Sequence, residues 1–190
     1  MESKKESYII ILKYLNSEHK RLKTSIGEIM PVFNKELAKL SRKINKWSED
    51  NNLQQTQENT NNIPPMDEKE LEISNKTENK KIEPEVTKFY RNLSKVIHPD
   101  KSDKEIDDGL FKLCTKSREE NILYKMLLIS ENIGAEYELN DKHYKLLDNE
   151  ITQLKDKIKE LENNLVLLWH YESDTNEKEK IMIRYIKGER

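Results

Sequence analysis

The stretch Glu85-Val86-Thr87-Lys88-Phe89-Tyr90-Arg91-Asn92-Leu93-Ser94-Lys95-Val96-Ile97-His98-Pro99-Asp100-Lys101 organises the reading of this chain. Val86, Phe89, Tyr90, Leu93, Val96 and Ile97 recur at helical spacing and form one wide apolar stripe. Pro84 suits a first helical position, where its missing amide hydrogen costs nothing. Pro99 forces the end, because the residue before a proline is pushed out of the helical region. The other side carries Lys88, Arg91 and Lys95, a basic stripe directed away from the core. Lys101 and Lys104 add positive charge around the turn, and Asp100 is the one negative group at its tip. A basic helix beside a fixed carboxylate suits an acidic partner that also offers an arginine.

Immediately beyond the turn, Ser102-Asp103-Lys104-Glu105 has the serine-to-glutamate spacing of a capping box. The helix it predicts presents Ile106, Leu110, Phe111, Leu113 and Cys114. A second such pattern, Ser117-Arg118-Glu119-Glu120, predicts a further helix over 119–133 bearing Ile122, Leu123, Met126, Leu127 and Ile133, closed by Gly134. Residues 83–134 therefore read as a small helical module with Phe89, Tyr90, Leu93, Phe111 and Cys114 in its core.

Long helices are expected on either side, which makes the fold class all-α. In 1–48, Tyr8, Leu12, Leu15, His19, Leu22, Ile26, Ile29 and Phe33 keep coiled-coil spacing. The rhythm then skips forward and resumes at Leu37, Leu40, Ile44 and Trp47, and such a stutter unwinds a supercoil locally. Pro31 predicts a kink between Gly27 and Pro31, or a break into two helices. Residues 49–82 are polar and read as a flexible linker, with at most a short helix over 66–74.

In 137–170, Tyr144, Leu147, Ile151, Leu154, Ile158, Leu161, Leu165 and Leu168 alternate steps of three and four. Isoleucine at a with leucine at d favours parallel two-stranded coils, and Glu150 with Lys155 and Lys157 with Glu162 would pair across the seam. This predicts either a homodimer through 144–168 or an antiparallel pairing with the N-terminal helix. Trp169 and Tyr171 read as a helix-end contact in preference to a peptide anchor, and a short helix is expected in 175–190.

Composition narrows the function classes. Charged residues make up 37% and hydrophobic ones 34%, with four Gly and five Pro, which suits long thin helices. A net charge of −2 gives no overall attraction to nucleic acid or lipid headgroups, and Phe89 and Tyr90 sit on the apolar side of their helix, so nucleic-acid binding is not expected. The apolar run Tyr8-Ile9-Ile10-Ile11-Leu12 is too short for a signal segment or a bilayer span, so no membrane partner is expected and a cytoplasmic location is the default. Cys114, the only cysteine, fits a reducing compartment and a core position. His19, His143 and His170 have no ligands at metal spacing, so neither metal nor cofactor is expected.

The segment from Glu85 to Lys101 closely resembles helix II and the loop of a J domain. Tyr90, Arg91 and Leu93 stand at the matching offsets before His98-Pro99-Asp100, and Phe111 stands on the following helix. The resemblance covers about 85–134. It implies a co-chaperone, not an enzyme, whose partner is a DnaK-class heat-shock chaperone. Asp100 would pair with an arginine of that partner, His98 and Pro99 would hold the loop, and Lys88, Arg91, Lys95 and Lys101 would complete the docking surface. The chain departs from the family pattern in two places. Nothing in 67–81 matches helix I, and Ser117 and Arg118 stand where helix III usually has an Ala-Tyr pair. These departures keep open an alternative, a coiled-coil scaffold whose J-like module no longer activates a chaperone. The two readings differ over what covers α-helical residues Val86, Phe89 and Leu93, for which Leu37, Leu40 and Ile44 are the expected candidates.

Overall fold

The structure, a computed structural model, describes residues 2–50, 82–98 and 108–189. Within them every element is helical: α1 (Glu2–Asp50), α2 (Pro84–Ile97), α3 (Asp108–Glu119), α4 (Leu123–Asn132), α5 (Asp141–Glu162), α6 (Leu165–Tyr171) and α7 (Thr175–Ile186). The fold class is all-α, as expected. The capping box at 102–105 and the short helix expected over 66–74 lie outside the described residues. The chain divides into two compact units, one of Met1–His19 with Thr77–Lys157 and one of Lys20–Lys76 with Ile158–Arg190.

In the first unit, α2 begins with Pro84 in its first turn and buries Val86, Phe89, Leu93 and Ile97. It ends where Pro99 requires: His98 adopts φ −67°, ψ 126°, an extended conformation. Val96 is a correction to the apolar stripe, because it is 48% exposed. α3 packs against α2, and its sense is fixed by cross-contacts. Asn121 meets Glu83, Thr115 meets Tyr90, and Phe111 meets His98, so residue numbers fall on one helix as they rise on the other. The two helices form an antiparallel hairpin.

The expected helix start at Ser117 is corrected. Ser117 lies inside α3, buried, and its hydroxyl donates to the Leu113 carbonyl. The segment is a helix end instead. Asn121 takes φ 56°, its amide donates to Arg118 O and the Ile122 amide to Ser117 O, the paired bonds of a Schellman motif. Asparagine tolerates this left-handed conformation better than other non-glycine residues, and its Oδ1 also accepts the Glu83 amide at 2.9 Å. Gly134, with φ 65°, closes α4 through the same pair of bonds, Gly134 N to Glu131 O and Ala135 N to Ser130 O.

α4 buries Leu123, Met126 and Leu127 completely, yet Ile122 before it offers no side-chain cap. The cap comes from α5. Both carboxylate oxygens of Glu150 accept amides at the start of α4, from Leu123 at 2.5 Å and Tyr124 at 2.8 Å. Glu150 is therefore not a rim residue of a seam facing Lys155. Burial pushes its carboxyl up to about 7, against the two amide bonds and Lys125, which pull it down.

The start of α1 lies beside α5 in the same sense, not the antiparallel one. The Lys4 ammonium sits 4.3 Å from the Tyr144 ring centroid, and one turn further along each helix Tyr8 Oη donates to Asp148 Oδ1. That bond holds the Tyr8 hydroxyl up at about 12. Leu12, Leu15, Leu147, Ile151 and Leu154 are all buried within the single chain.

In the second unit, Phe33, Leu37, Leu40, Val166, Trp169 and Met182 form one cluster. The Phe33 ring meets the edges of Trp169 and Tyr185 at 5.2 and 5.0 Å. Trp169 is thus a buried packing residue, whereas Tyr171 is 70% exposed. Pro31 lies inside α1, which is described as one helix, so the expected break into two is not made. The apolar repeat of 137–170 is interrupted: α5 stops at Glu162, and Asn164 caps α6 by accepting the Val166 amide. A side chain that satisfies its own neighbour's amide offers the backbone an alternative to a continuing helix.

Candidate functional site

The site is built on the α2–α3 hairpin. Phe89, Leu93 and Ile97 anchor α2 from below, which directs Lys88, Arg91 and Lys95 outward, and all three are exposed. The antiparallel sense brings Lys112 and Lys116, exposed on α3, into the same hairpin. Leu113, read among the apolar residues that this helix presents, is 54% exposed.

At the end of the hairpin where α2 leads on to α3, His98 is half-buried, and its ring meets the edge of Phe111 at 5.3 Å. This contact orients the last described residue of the His-Pro-Asp turn against the first turns of α3. Pro99, Asp100 and Lys101 lie outside the described residues. Farther from that connection, Tyr90 Oη and Thr115 Oγ1 are hydrogen-bonded at 3.2 Å, and the Arg118 guanidinium stacks over the Tyr90 ring at 5.1 Å. Cys114 sits fully buried between these contacts, its thiol pushed up to about 11 by desolvation, far from the reactive thiolate range.

Leu37 and Leu40 do not cover α2, because they belong to the cluster of the second unit, and Ile44 is 39% exposed. The cover comes from the chain between α4 and α5 and from the first turn of α5. Phe89 meets the edge of Tyr137 at 5.5 Å and faces the ring of His143 at 6.2 Å. Glu85, in the first turn of α2, pairs with Lys142 at 3.3 Å. Its carboxyl is held below the usual range, first by a backbone amide and then by that lysine. Tyr137 and His143 carried no sequence signal for this role, since neither belongs to an apolar repeat that points at α2.

Among the described residues no cluster of His, Cys, Asp or Glu has the arrangement of a metal site, and no helix is long and apolar enough to cross a membrane. No protein-family model, curated protein or solved structure matches the chain.

Proposed function

We propose that this chain is a J-domain-type co-chaperone that docks on a DnaK-class heat-shock chaperone and stimulates its ATP hydrolysis. The observation that carries the reading is the antiparallel α2–α3 hairpin, with a basic exposed stripe on α2 and with His98, the first residue of the His-Pro-Asp tripeptide, packed on Phe111 at the end where the two helices connect. In a J domain, helix II and helix III stand in this relation to the tripeptide. Tyr137 and His143 stand against Phe89, on the helix that helix I packs against in a J domain. Ser117 fills a buried small-residue position where the family has alanine, and Arg118 lays a planar group on Tyr90 where the family has tyrosine.

The mechanism follows from charge and geometry. Lys88, Arg91 and Lys95 steer an acidic face of the chaperone onto α2, a long-range effect that acts mainly on the rate of encounter. Asp100 then forms a charge-assisted bond with an arginine of that chaperone, which favours its hydrolysis-competent state. The chain itself supplies no catalytic group, cofactor or metal to the reaction. The test is single-turnover ATP hydrolysis by a DnaK-class chaperone with added chain, in wild type and with Lys88, Arg91 and Lys95 all replaced by Glu. Stimulation by wild type and its loss in the triple variant are expected. A triple variant as effective as wild type rejects the docking surface.

A further inference from the structure

Net charge averages over the whole chain and hides one stretch of α1 in the second unit. Between residues 35 and 46 stand five cations, Lys35, Lys39, Arg42, Lys43 and Lys46, and one acid, Glu36. All five cations are exposed, while Phe33, Leu37 and Leu40 of the same helix are buried in their cluster. Helical spacing sets like charges side by side. Lys35 with Lys39, Lys39 with Arg42 and Lys43, and Lys46 with Arg42 and Lys43 are three or four residues apart. Such neighbours destabilise a helix. Two carboxylates answer them: Glu36 holds Lys39 at 2.6 Å, and Glu179 of α7 stands 3.8 Å from Lys43. Lys39 by its hydrogen bond, then Lys35 and Lys43 by their charge, hold the Glu36 carboxyl below its ordinary value. Among the described residues no acidic side chain pairs with Lys35, Arg42 or Lys46. On α7, by contrast, Lys180 and Arg184 are paired with Glu177 and Glu189. In the sequence Glu28 and Glu49 bound the basic stretch.

A second observation is independent of charge. Lys35, Lys39, Lys43 and Trp47 follow one another at intervals of four and form a single ridge along the helix, with steps of about 5–6 Å. The Trp47 side chain is 60% exposed. A row of cations that ends on an exposed ring suits single-stranded nucleic acid, whose backbone tracks positive charge while a base stacks on an aromatic face. Two other polyanions fit less well. An anionic membrane takes up a helix through its apolar face, and Phe33, Leu37 and Leu40 are already buried in their own cluster. A protein interface is built around an apolar core, whereas positions 35, 39, 42, 43 and 46 are all charged.

We propose that the face of α1 from Lys35 to Trp47 binds single-stranded nucleic acid. Phosphates lie along Lys35, Lys39 and Lys43, where they compete with Glu36 and Glu179, and Arg42 and Lys46 flank them. One base stacks on Trp47. Contacts to phosphates and to a base face carry no sequence preference. The inference does not depend on chaperone activation, because its residues belong to the second unit and Lys88, Arg91 and Lys95 to the first.

The test uses the full chain and a labelled thymidylate dodecamer, read by fluorescence anisotropy between about 50 and 200 mM salt. Wild type is expected to bind, with the logarithm of the binding constant falling against that of salt at a slope of about −3. Replacing Lys35, Arg42 and Lys46 together by Gln, a good helix former, should flatten the slope by about 2. Trp47→Ala should weaken binding roughly tenfold and leave the slope unchanged, and Trp47→Phe should keep most of the affinity. No binding up to about 100 μM at the lowest salt overturns the proposal. So does a triple variant or Trp47→Ala that binds as wild type does. Competition by a glutamate dodecamer, or by anionic phospholipid vesicles, as strong as that by unlabelled oligonucleotide overturns it as well.

Discussion

Glu150 buries a carboxylate to hold the start of α4, and that choice has a cost that depends on pH. Its folded pKa of about 7 lies above its ordinary value of 4.5, so the folded chain binds the proton more tightly than the unfolded chain. The penalty is absent below about 4.5, grows as pH rises, and is complete above about 7, where it amounts to roughly 3 kcal/mol. Glu150→Gln cannot titrate. Urea unfolding of both proteins between pH 5 and pH 8 should therefore show wild type losing stability relative to the variant. Parallel curves would refute the assignment. Glu150→Ala leaves the Leu123 and Tyr124 amides unsatisfied and should cost about 1–3 kcal/mol, with faster hydrogen exchange at those two amides. At Asn121 the backbone is already left-handed, so Asn121→Ala should cost about 1–2 kcal/mol and Asn121→Gly less, measured as shifts in urea midpoint.

At the scale of elements, α1 carries Pro31 in its interior on an exposed position. The ring removes a helical hydrogen bond, so Pro31→Ala should stabilise the chain by up to about 3 kcal/mol, visible as a higher melting temperature. A lower melting temperature would mean that the proline sets a bend the packing needs. The helices themselves were legible wherever a local rule decided them. Pro84 and Pro99 bounded α2, and Gly134 closed α4. Local rules misled where tertiary packing chose between two uses of one signal. Ser117-Arg118-Glu119-Glu120 has the letters of a helix start, but Asn121 turns the chain and makes it a helix end. Asn164 likewise ends an apolar repeat that spacing alone carries through to Leu168. The surface residues of the candidate site were legible because a basic stripe is a local pattern. Its cover was not, because Tyr137 reaches Phe89 from a connection without helical period and His143 from the first turn of α5, before its apolar repeat begins, and Glu150 reaches Leu123 from 27 residues away. Contacts between distant segments leave no spacing to read.

For the whole molecule, the apolar rows expected to join two copies are already occupied. Leu147, Ile151, Leu154 and Ile158 are each no more than 9% exposed within one chain. Sedimentation at two concentrations should therefore give one monomeric species, and a rise in mass with concentration would reopen the homodimer through 144–168. The two compact units divide the work on this account: the first carries the hairpin and its tripeptide, and the second is a separate cluster around Phe33 and Trp169. The central claim is that Asp100, which follows α2 in the sequence, acts on a chaperone's ATPase. Asp100→Asn keeps the size of the side chain and removes its charge. In single-turnover hydrolysis by a DnaK-class chaperone, wild type should accelerate ATP cleavage and Asp100→Asn should return it to the unstimulated rate. Equal acceleration by both proteins, or none by wild type, would contradict the account.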